Sequence, residues 1–493
     1  MSLKQSSVGP EIKAVMDRPL FKGGRWGLHV VDLANGTVIY DLNPRQTFHT
    51  GSTAKIFSVT AATALLGADS RFQTPVFQRG TVSNGTLTGD LILHGRGDLT
   101  LGGRTMPDGT IDVPIFDHFD ANVLPGMATL TPEDPLAGLD ELARQVRAAG
   151  ITSVAGDVVV DDRLWDQIAI GRVPISPIVV NDNVIDLVVT PGAGAGDRVT
   201  LDWRPRTAQV TVTSTVTAGP SISNIHLKIS DDGNGNVTIK GDVPAGHKPV
   251  VQTWQAPEPG AFARTLFIEA LARAGVTVSA AAVGANPKAR LPADLSGLTR
   301  VALFTSPPFS ETARLINKVS HNLGANMLPF LMGVARGHRD HDSGLAIELD
   351  FAIRGGVDER EIVLTDGQGR SDCKVSPRGM TTYLRYLSER TDFPTFFDSM
   401  PLLGVDGSLA SAVPAGDPAT GHVHAKTGTL VAEGPNGGYI LRTKALAGYI
   451  DAKSGRHLAF AIFVNDVPIP KVPDVLDANR AIGHIASLIY QSN

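Results

Sequence analysis

Ser52 and Lys55 stand three residues apart, Ser320 and Asn322 two apart, and Lys426, Thr427 and Gly428 follow one another. These residue types can break an acyl bond. That chemistry needs a hydroxyl nucleophile, an amine to take its proton, a route for the proton to the leaving group, and N–H donors for an oxyanion. Positions i and i+3 of a helix share a face, so the spacing turns the Lys55 amine toward the Ser52 hydroxyl. Lysine is a base only when neutral, which a semi-buried site beside other cations favours. A serine at a helix start also places its backbone N–H among the unpaired donors there, as half of an oxyanion hole. Ser320 follows an expected helix over 311–319 and can relay a proton, while Asn322 can hydrogen-bond a substrate amide. Lys426-Thr427-Gly428-Thr429 falls on an expected strand. There Gly428 permits close approach of a substrate backbone. Lys426 and Thr427 offer a cation and a hydroxyl to a carboxylate, and the Thr429 N–H completes the oxyanion hole.

Competing strings weigh against taking any one motif alone. About one or two S-x-x-K strings arise by chance in a chain of this length. A second does occur, Ser371-Asp372-Cys373-Lys374, in a Gly- and Pro-flanked stretch where no helix aligns Ser with Lys. Lys453-Ser454-Gly455 repeats the K-[ST]-G pattern, but in an expected hairpin turn. Ser52 taken singly reads as an ordinary N-cap. His338-Arg339-Asp340-His341-Asp342 has metal-ligand types but reads as a charged loop between helices. Asp232-Gly233-Asn234-Gly235-Asn236 lacks the sixth-position Gly and terminal Glu of a calcium loop and reads as a hairpin turn. Gly95-Arg96-Gly97 is too short for a nucleotide fingerprint.

The elements that must hold the three strings in place come from both ends of the chain. Two apolar runs within 26–40 flank Ala34-Asn35-Gly36, a hairpin signal, and an Ala-rich helix is expected to begin near Ser52. Strands are expected over 423–430, 445–450 and 458–464, then an amphipathic helix over 476–490. One sheet can therefore take strands from both ends. The middle, 70–292, alternates apolar and polar residues between Gly, Asn and Asp turns, with helices expected at 136–149 and 262–274. A helical block over 310–354 follows, and no repeat is visible.

At 493 residues the chain exceeds what one core usually serves, so two or three domains are expected. Composition is that of a soluble globular protein, 42% hydrophobic and 19% charged. A net charge of −5 leaves no electrostatic footprint for nucleic acid. No apolar run reaches the roughly 18 residues a membrane span needs. The start, Met1-Ser2-Leu3-Lys4-Gln5-Ser6-Ser7, lacks the apolar stretch of a signal peptide and reads as a mature or trimmed start. Cys373 is the sole cysteine, so no intramolecular disulfide forms.

The ordered set S-x-x-K, S-x-N, K-T-G is that of serine acyl-transfer enzymes acting on penicillin or the peptide it mimics. Beyond it, the chain resembles the class C low-molecular-mass penicillin-binding proteins, D-alanyl-D-alanine carboxypeptidases that also act as endopeptidases. The likeness runs through Leu93-His94-Gly95-Arg96-Gly97-Asp98-Leu99-Thr100, similar to the family's glycine-rich stretch. It continues through 156–162, Pro174-Ile175-Ser176-Pro177, Asn181-Asp182-Asn183, Asp366-Gly367-Gln368-Gly369, 404–409 and 426–430. The gap is the most discriminating feature: 268 positions separate Ser52 from Ser320, where compact β-lactamases place these motifs much closer.

The resemblance implies a three-domain serine DD-peptidase of peptidoglycan, secreted or periplasmic, without metal or other cofactor. Its fold class would be α/β in the loose, α+β sense, an antiparallel sheet flanked by helices with a large nested β-rich insertion. The catalytic domain would comprise 1–69 and 293–493, a second domain 70–199 and 251–292, and a third, nested one 200–250. Ser52 would be the acylated nucleophile and Lys55 its base. Ser320 and Lys426 would pass the proton to the leaving D-alanine. Asn322, Thr427, Gly428 and Thr429 would bind substrate, Thr427 at its carboxylate. Peptidoglycan stem peptides would be the substrates and β-lactams covalent inhibitors.

Departures from the family pattern touch recognition rather than acylation. Asn326 stands where an acid often follows S-x-N, and Arg370-Ser371 ends the Asp-Gly string differently. Arg163-Leu164-Trp165 stands where a Ser and a Phe are usual, in a segment shortened after Asp161. The stretch 432–438 makes an extra loop. Carboxypeptidase and endopeptidase readings stay open, beside a non-catalytic wall-binding module and a β-lactamase or esterase on the same scaffold.

Overall fold

The computed structural model describes residues 9–370, 372–434, 438–471 and 474–493. The start at Met1–Ser7, Ser371 of the second S-x-x-K string, and Pro435-Asn436-Gly437 of the extra loop lie outside the described residues. The chain divides into two compact units, 1–69 with 309–493, and 70–308.

In the first unit, β1 (Arg25–Asp32) and β2 (Val38–Leu42) form the N-terminal hairpin. Gly36 takes the positive φ its turn requires (+71°), and Asn35 Oδ1 accepts from Thr37 N. A 3-10 turn at Gly51–Ala54 leads into α1 (Lys55–Leu66). The helical block comprises α2 (Phe309–Lys318), α3 (Asn322–Ala335) and α4 (His341–Arg354), and α5 (Pro377–Ser388) follows. The C-terminal part supplies β3 (Val423–Glu433), β4 (Tyr439–Asp451), β5 (His457–Ile469) and α6 (Asp474–Ser492). These strands and the N-terminal hairpin make one antiparallel sheet in the order β2-β1-β5-β4-β3, so the two ends of the chain share it.

Period-2 alternation gives the sheet two dry faces. Leu28, Val30, Leu446, Phe460 and Ile462 pack against Ile482, Ile485 and Ile489 of α6. Ala445, Ala447, Ala459, Ala461 and Phe463 face Phe57 of α1 and Tyr383 of α5. The alanines on that face leave room for α5 to lie close to the sheet. Nearly every residue of α1 from Lys55 to Thr63 is buried, which makes it the central helix of the unit. Lys453-Ser454-Gly455 lies in the β4–β5 turn, and Asp340 caps α4 by accepting from Ser343 N.

The second unit is β-rich. A six-stranded sheet runs through Thr86–His94, Arg71–Ser83 and Thr299–Pro308, covered by helices Ala137–Ala148 and Pro259–Arg273. Thr299–Pro308 pairs antiparallel with Arg71–Ser83. This strand therefore stays with the insertion, and the first unit resumes at residue 309 rather than the expected 293. Backbone pairing, invisible in local composition, sets that boundary. Two three-stranded sheets complete the unit: Thr200–Arg204, Val184–Thr190 and Val250–Gln255; and Thr211–Gly219, Asn236–Pro244 and His226–Asp231. Asp232-Gly233-Asn234-Gly235 turns the hairpin between the last two strands, with Asp232 Oδ1 accepting from Asn234 N and Asn236 N.

Within this unit Asp117, His118 and Asp182 form a buried group of metal-ligand type. Arg104 already pairs with Asp117 and Asp182, and His118 lies between Asp182 (2.8 Å) and Asp186 (2.5 Å), which also meets Arg204. Three carboxylates thus face two guanidiniums and an imidazole, an internally compensated ion-pair network.

Candidate active site

Two glycines let the elements bearing the S-x-x-K and K-T-G motifs close on one another. Gly51 has φ +48°, and a Cβ there would meet Thr429 N at 2.7 Å and Thr443 Cγ2 at 2.9 Å. A Cβ on Gly428 would run into Thr50 O. The turn bearing Ser52 therefore lies directly against the backbone of β3, and Thr429 N faces it. His49, just before the turn, is pinned as well: its N donates to Asn465 Oδ1 (2.7 Å) and its O accepts from Thr443 Oγ1 (2.8 Å).

Ser52 sits in the 3-10 turn rather than in α1 itself. In that geometry residues i and i+3 eclipse, which aligns Ser52 with Lys55 still more closely than an α-turn would. Lys55 Nζ lies 2.8 Å from Ser52 Oγ, 2.7 Å from Asn322 Oδ1, 3.3 Å from Ser320 Oγ and 3.5 Å from Gln368 O. The amine is fully buried.

Ser320 occupies the junction between α2 and α3 in a left-handed conformation, φ +62°. For a residue with a Cβ this costs about 1–2 kcal/mol, and such strain is concentrated at functional sites. The junction is held on both sides. His321 N donates to Ile316 O, and His321 Nδ1 accepts from Gly324 N (3.1 Å), capping α3. Lys318 pairs with Asp406, which ties the loop 404–409 to the end of α2.

Lys426 projects from β3, an edge strand of the sheet, and its Nζ donates to Ser320 Oγ (2.9 Å) and Thr427 O (2.9 Å). Ser320 Oγ is thus bracketed by two amines. Burial, then the charges of Lys55 and Lys444, hold the Lys426 amine well below the usual lysine range. Thr427 Oγ1 donates to Ser408 Oγ (2.8 Å).

Every residue singled out from the sequence, Ser52, Lys55, Ser320, Asn322, Lys426, Thr427, Gly428 and Thr429, comes from this one region. Further residues that the motifs do not assign to the site join it. Ser408 lies in 404–409, a stretch quoted for its family likeness without a role. Gln368 enters through its carbonyl, which no side-chain pattern reports. Asp366 Oδ1 accepts from Gln368 N and Gly369 N and shapes that loop, and Ser58 of α1 donates to Gly367 O. Lys444 stands opposite Thr429 in the β3–β4 register and donates to Thr429 Oγ1 (2.7 Å). It is 4% exposed, and burial pushes its amine down to about 7. A lone lysine on an inward-facing position of an apolar strand was the available signal. The loop and the strand partner it serves were not.

This arrangement can activate a hydroxyl, move a proton between two amines through a second hydroxyl, and hold an anion. Comparison with known proteins agrees in kind. The profile of the D-Ala-D-Ala carboxypeptidase 3 (S13) family matches residues 10–484. The chain is 29% identical over 497 residues to a D-alanyl-D-alanine carboxypeptidase of Actinomadura sp. (strain R39), covering 95% of this chain and 82% of that protein. Its fold is similar to that of penicillin-binding protein 4 (dacB) from Haemophilus influenzae, solved in complex with a β-lactam: TM-score 0.71, 19% identity, 98% of this chain and 100% of the other. The Bd0816 predatory endopeptidase from Bdellovibrio bacteriovorus aligns at TM-score 0.51 and 16% identity, over 94% and 92% of the two chains.

Proposed function

The chain belongs to the D-Ala-D-Ala carboxypeptidase 3 (S13) family and is a serine DD-peptidase; on that premise we propose that Ser52 is its acylated nucleophile. Lys55 takes the Ser52 proton as Oγ attacks the carbonyl carbon of the penultimate D-alanine. The N–H groups of Ser52 and Thr429 receive the resulting oxyanion. As the scissile C–N bond breaks, Ser320, between Lys55 and Lys426, delivers a proton to the departing amine. Water then attacks the ester, which releases the shortened peptide and restores the Ser52 hydroxyl. Asn322 holds a substrate amide, and Thr427, backed by Ser408, holds the terminal carboxylate.

The observation that carries this reading is the 2.8 Å approach of Lys55 Nζ to Ser52 Oγ, with Ser320 Oγ within 3.3 Å of Lys55 and 2.9 Å of Lys426. The crowding of buried amines supports a neutral lysine in the site. Peptidoglycan stem peptides are the proposed substrates, with removal of the terminal D-alanine and cleavage of cross-links both served by this cleft. A secreted or periplasmic location follows from that substrate. Among the described residues no helix is long and apolar enough to cross a membrane. The insertion is proposed to comprise a second domain and a nested β domain over 200–250, the latter built around the parallel pair Thr211–Gly219 and Asn236–Pro244.

Penicillin should acylate the same serine and persist there, because its leaving group stays tethered. Intact-protein mass spectrometry after benzylpenicillin treatment checks this. A stable adduct is expected on the wild type and none on Ser52→Ala. An adduct of equal yield on Ser52→Ala would overturn the assignment. Rapid antibiotic turnover without an adduct would instead favour a β-lactamase.

A further inference from the structure

The strand Arg71–Ser83 turns Val76 into the core of the insertion and Arg71, Gln73, Pro75 and Phe77 to its other face. A cleft of about 640 Å³ opens on that face. Arg300 reaches it from the neighbouring strand, where it stands opposite Phe77 in the register, and Arg96 from the chain just past His94. Three guanidiniums therefore converge on one concavity.

Their convergence on one concavity sets them apart from other exposed arginines of the unit. Arg79, Arg104, Arg163, Arg204, Arg264 and Arg290 of the same unit each pair with an aspartate. Among the described residues none of the cleft's three guanidiniums has a carboxylate partner; Arg71 donates only to the Ser306 carbonyl. Exposed like charges on one concave wall raise its positive potential, and the concavity focuses that field on an anion. This occurs in a chain of net charge −5, so it is not a general basic surface. The rest of the lining is mixed. Gln73 offers both an amide donor and an acceptor, and the Phe77 and His94 rings, 6.5 Å between centroids, form an apolar wall. Burial pulls the His94 imidazole down to about 4, so that wall is uncharged at neutral pH.

We propose that this cleft binds a carboxylate-bearing peptide, a stem peptide of the cell wall, at a site that shares no residue with the acylation centre. The guanidinium forks match carboxylates. The amide of Gln73 and the aromatic wall suit a peptide better than a bare phosphodiester. The identity of the peptide rests on the DD-peptidase reading; the presence of an anion site does not. The cleft would hold wall strands on the insertion while the other unit cuts.

The test uses full-length protein acylated by benzylpenicillin, so that the active site is filled, and a dye-labelled tetrapeptide L-Ala-γ-D-Glu-L-Lys-D-Ala as probe in fluorescence anisotropy. Saturable binding is expected. It should weaken by about tenfold or more in Arg96→Gln/Arg300→Gln and for the probe with amidated carboxylates, the factor carried by one charge-assisted hydrogen bond. Penicillin acylation rate and melting temperature should stay at wild-type values in the variant, which shows it is folded. Equal binding by wild type and variant, or no binding by either, overturns the proposal. Tighter binding of a glycerol-phosphate oligomer than of the peptide overturns its ligand assignment. Repeating the comparison with Arg96→Gln/Arg300→Gln on a Ser52→Ala background without antibiotic, and reading only the binding lost with the two arginines, keeps the test independent of whether Ser52 is the nucleophile.

Discussion

The site sets function against stability most clearly at Ser320 and Lys444. Ser320 is strained at φ +62°, so Ser320→Gly should raise unfolding stability by about 1 kcal/mol relative to Ser320→Ala. Both variants should lose roughly 10²–10⁴-fold in acylation rate, the usual worth of a general acid–base group. Denaturant melts and benzylpenicillin stopped-flow separate the two effects. Lys444 has a folded pKa of about 7, below its unfolded value, so the unfolded chain binds the extra proton between those two limits. Stability therefore rises with pH across that window, and the lysine destabilises most at pH 7 and below. Lys444→Met should accordingly raise the melting temperature more at pH 7 than at pH 10. It should also move the acid limb of the kcat/KM profile to higher pH, because Lys426 loses a neighbouring positive charge that holds its own pKa down. A melting gain independent of pH would contradict this account of Lys444.

At the scale of elements, the proposed acylation depends on how closely the Ser52 turn and β3 approach. Gly428 makes that contact, and a methyl group there meets the Thr50 carbonyl, a backbone atom that cannot swing aside. Gly428→Ala should leave far-ultraviolet circular dichroism unchanged but slow penicillin acylation by about 100-fold, the effect of displacing reacting groups by roughly 1 Å. Unaltered acylation would show that β3 does not set the position of Ser52. The helix behind the site shows a related economy of contacts. Pro329 inside α3 has no N–H to offer the Ala325 carbonyl. Gly367 lies against that carbonyl, where no side chain would fit. A proline in one helix thereby seats the loop that brings the Gln368 carbonyl to Lys55.

At the scale of the whole molecule the insertion carries its own titrating device. Burial alone would lower the His118 pKa, but the charges of Asp186 and Asp117, with the hydrogen bonds His118 donates to Asp182 and Asp186, outweigh it and raise it to about 10. A raised histidine contributes stability that is complete below its unfolded value near 6.5 and is lost as pH climbs through 10. The insertion should therefore melt at lower temperature at pH 10 than at pH 6, and His118→Gln should flatten that slope. Hydrogen exchange at 184–190 and 250–255, the strands beside the network, reads the effect within the insertion. Equal slopes in wild type and variant would place the pH sensitivity elsewhere.

Sequence order alone identified the three motifs, the family and the antiparallel sheet shared by the two chain ends. Those features rest on local spacing and on short apolar runs, as in 458–464, which any reader of the chain can see. Ser52 and Lys55 are legible for the same reason, being neighbours on one turn. The tertiary structure decided what depends on long-range approach. It set the return to the first unit at residue 309, because Thr299–Pro308 pairs with a strand more than two hundred positions earlier. It brought Ser408, Lys444 and the Gln368 carbonyl to residues remote in the chain, and it left Arg71, Arg96 and Arg300 facing one cleft without acids. Composition reports how many charges a chain has; only packing determines which of them meet a partner, and so which pKa values move and where an unmatched charge is kept.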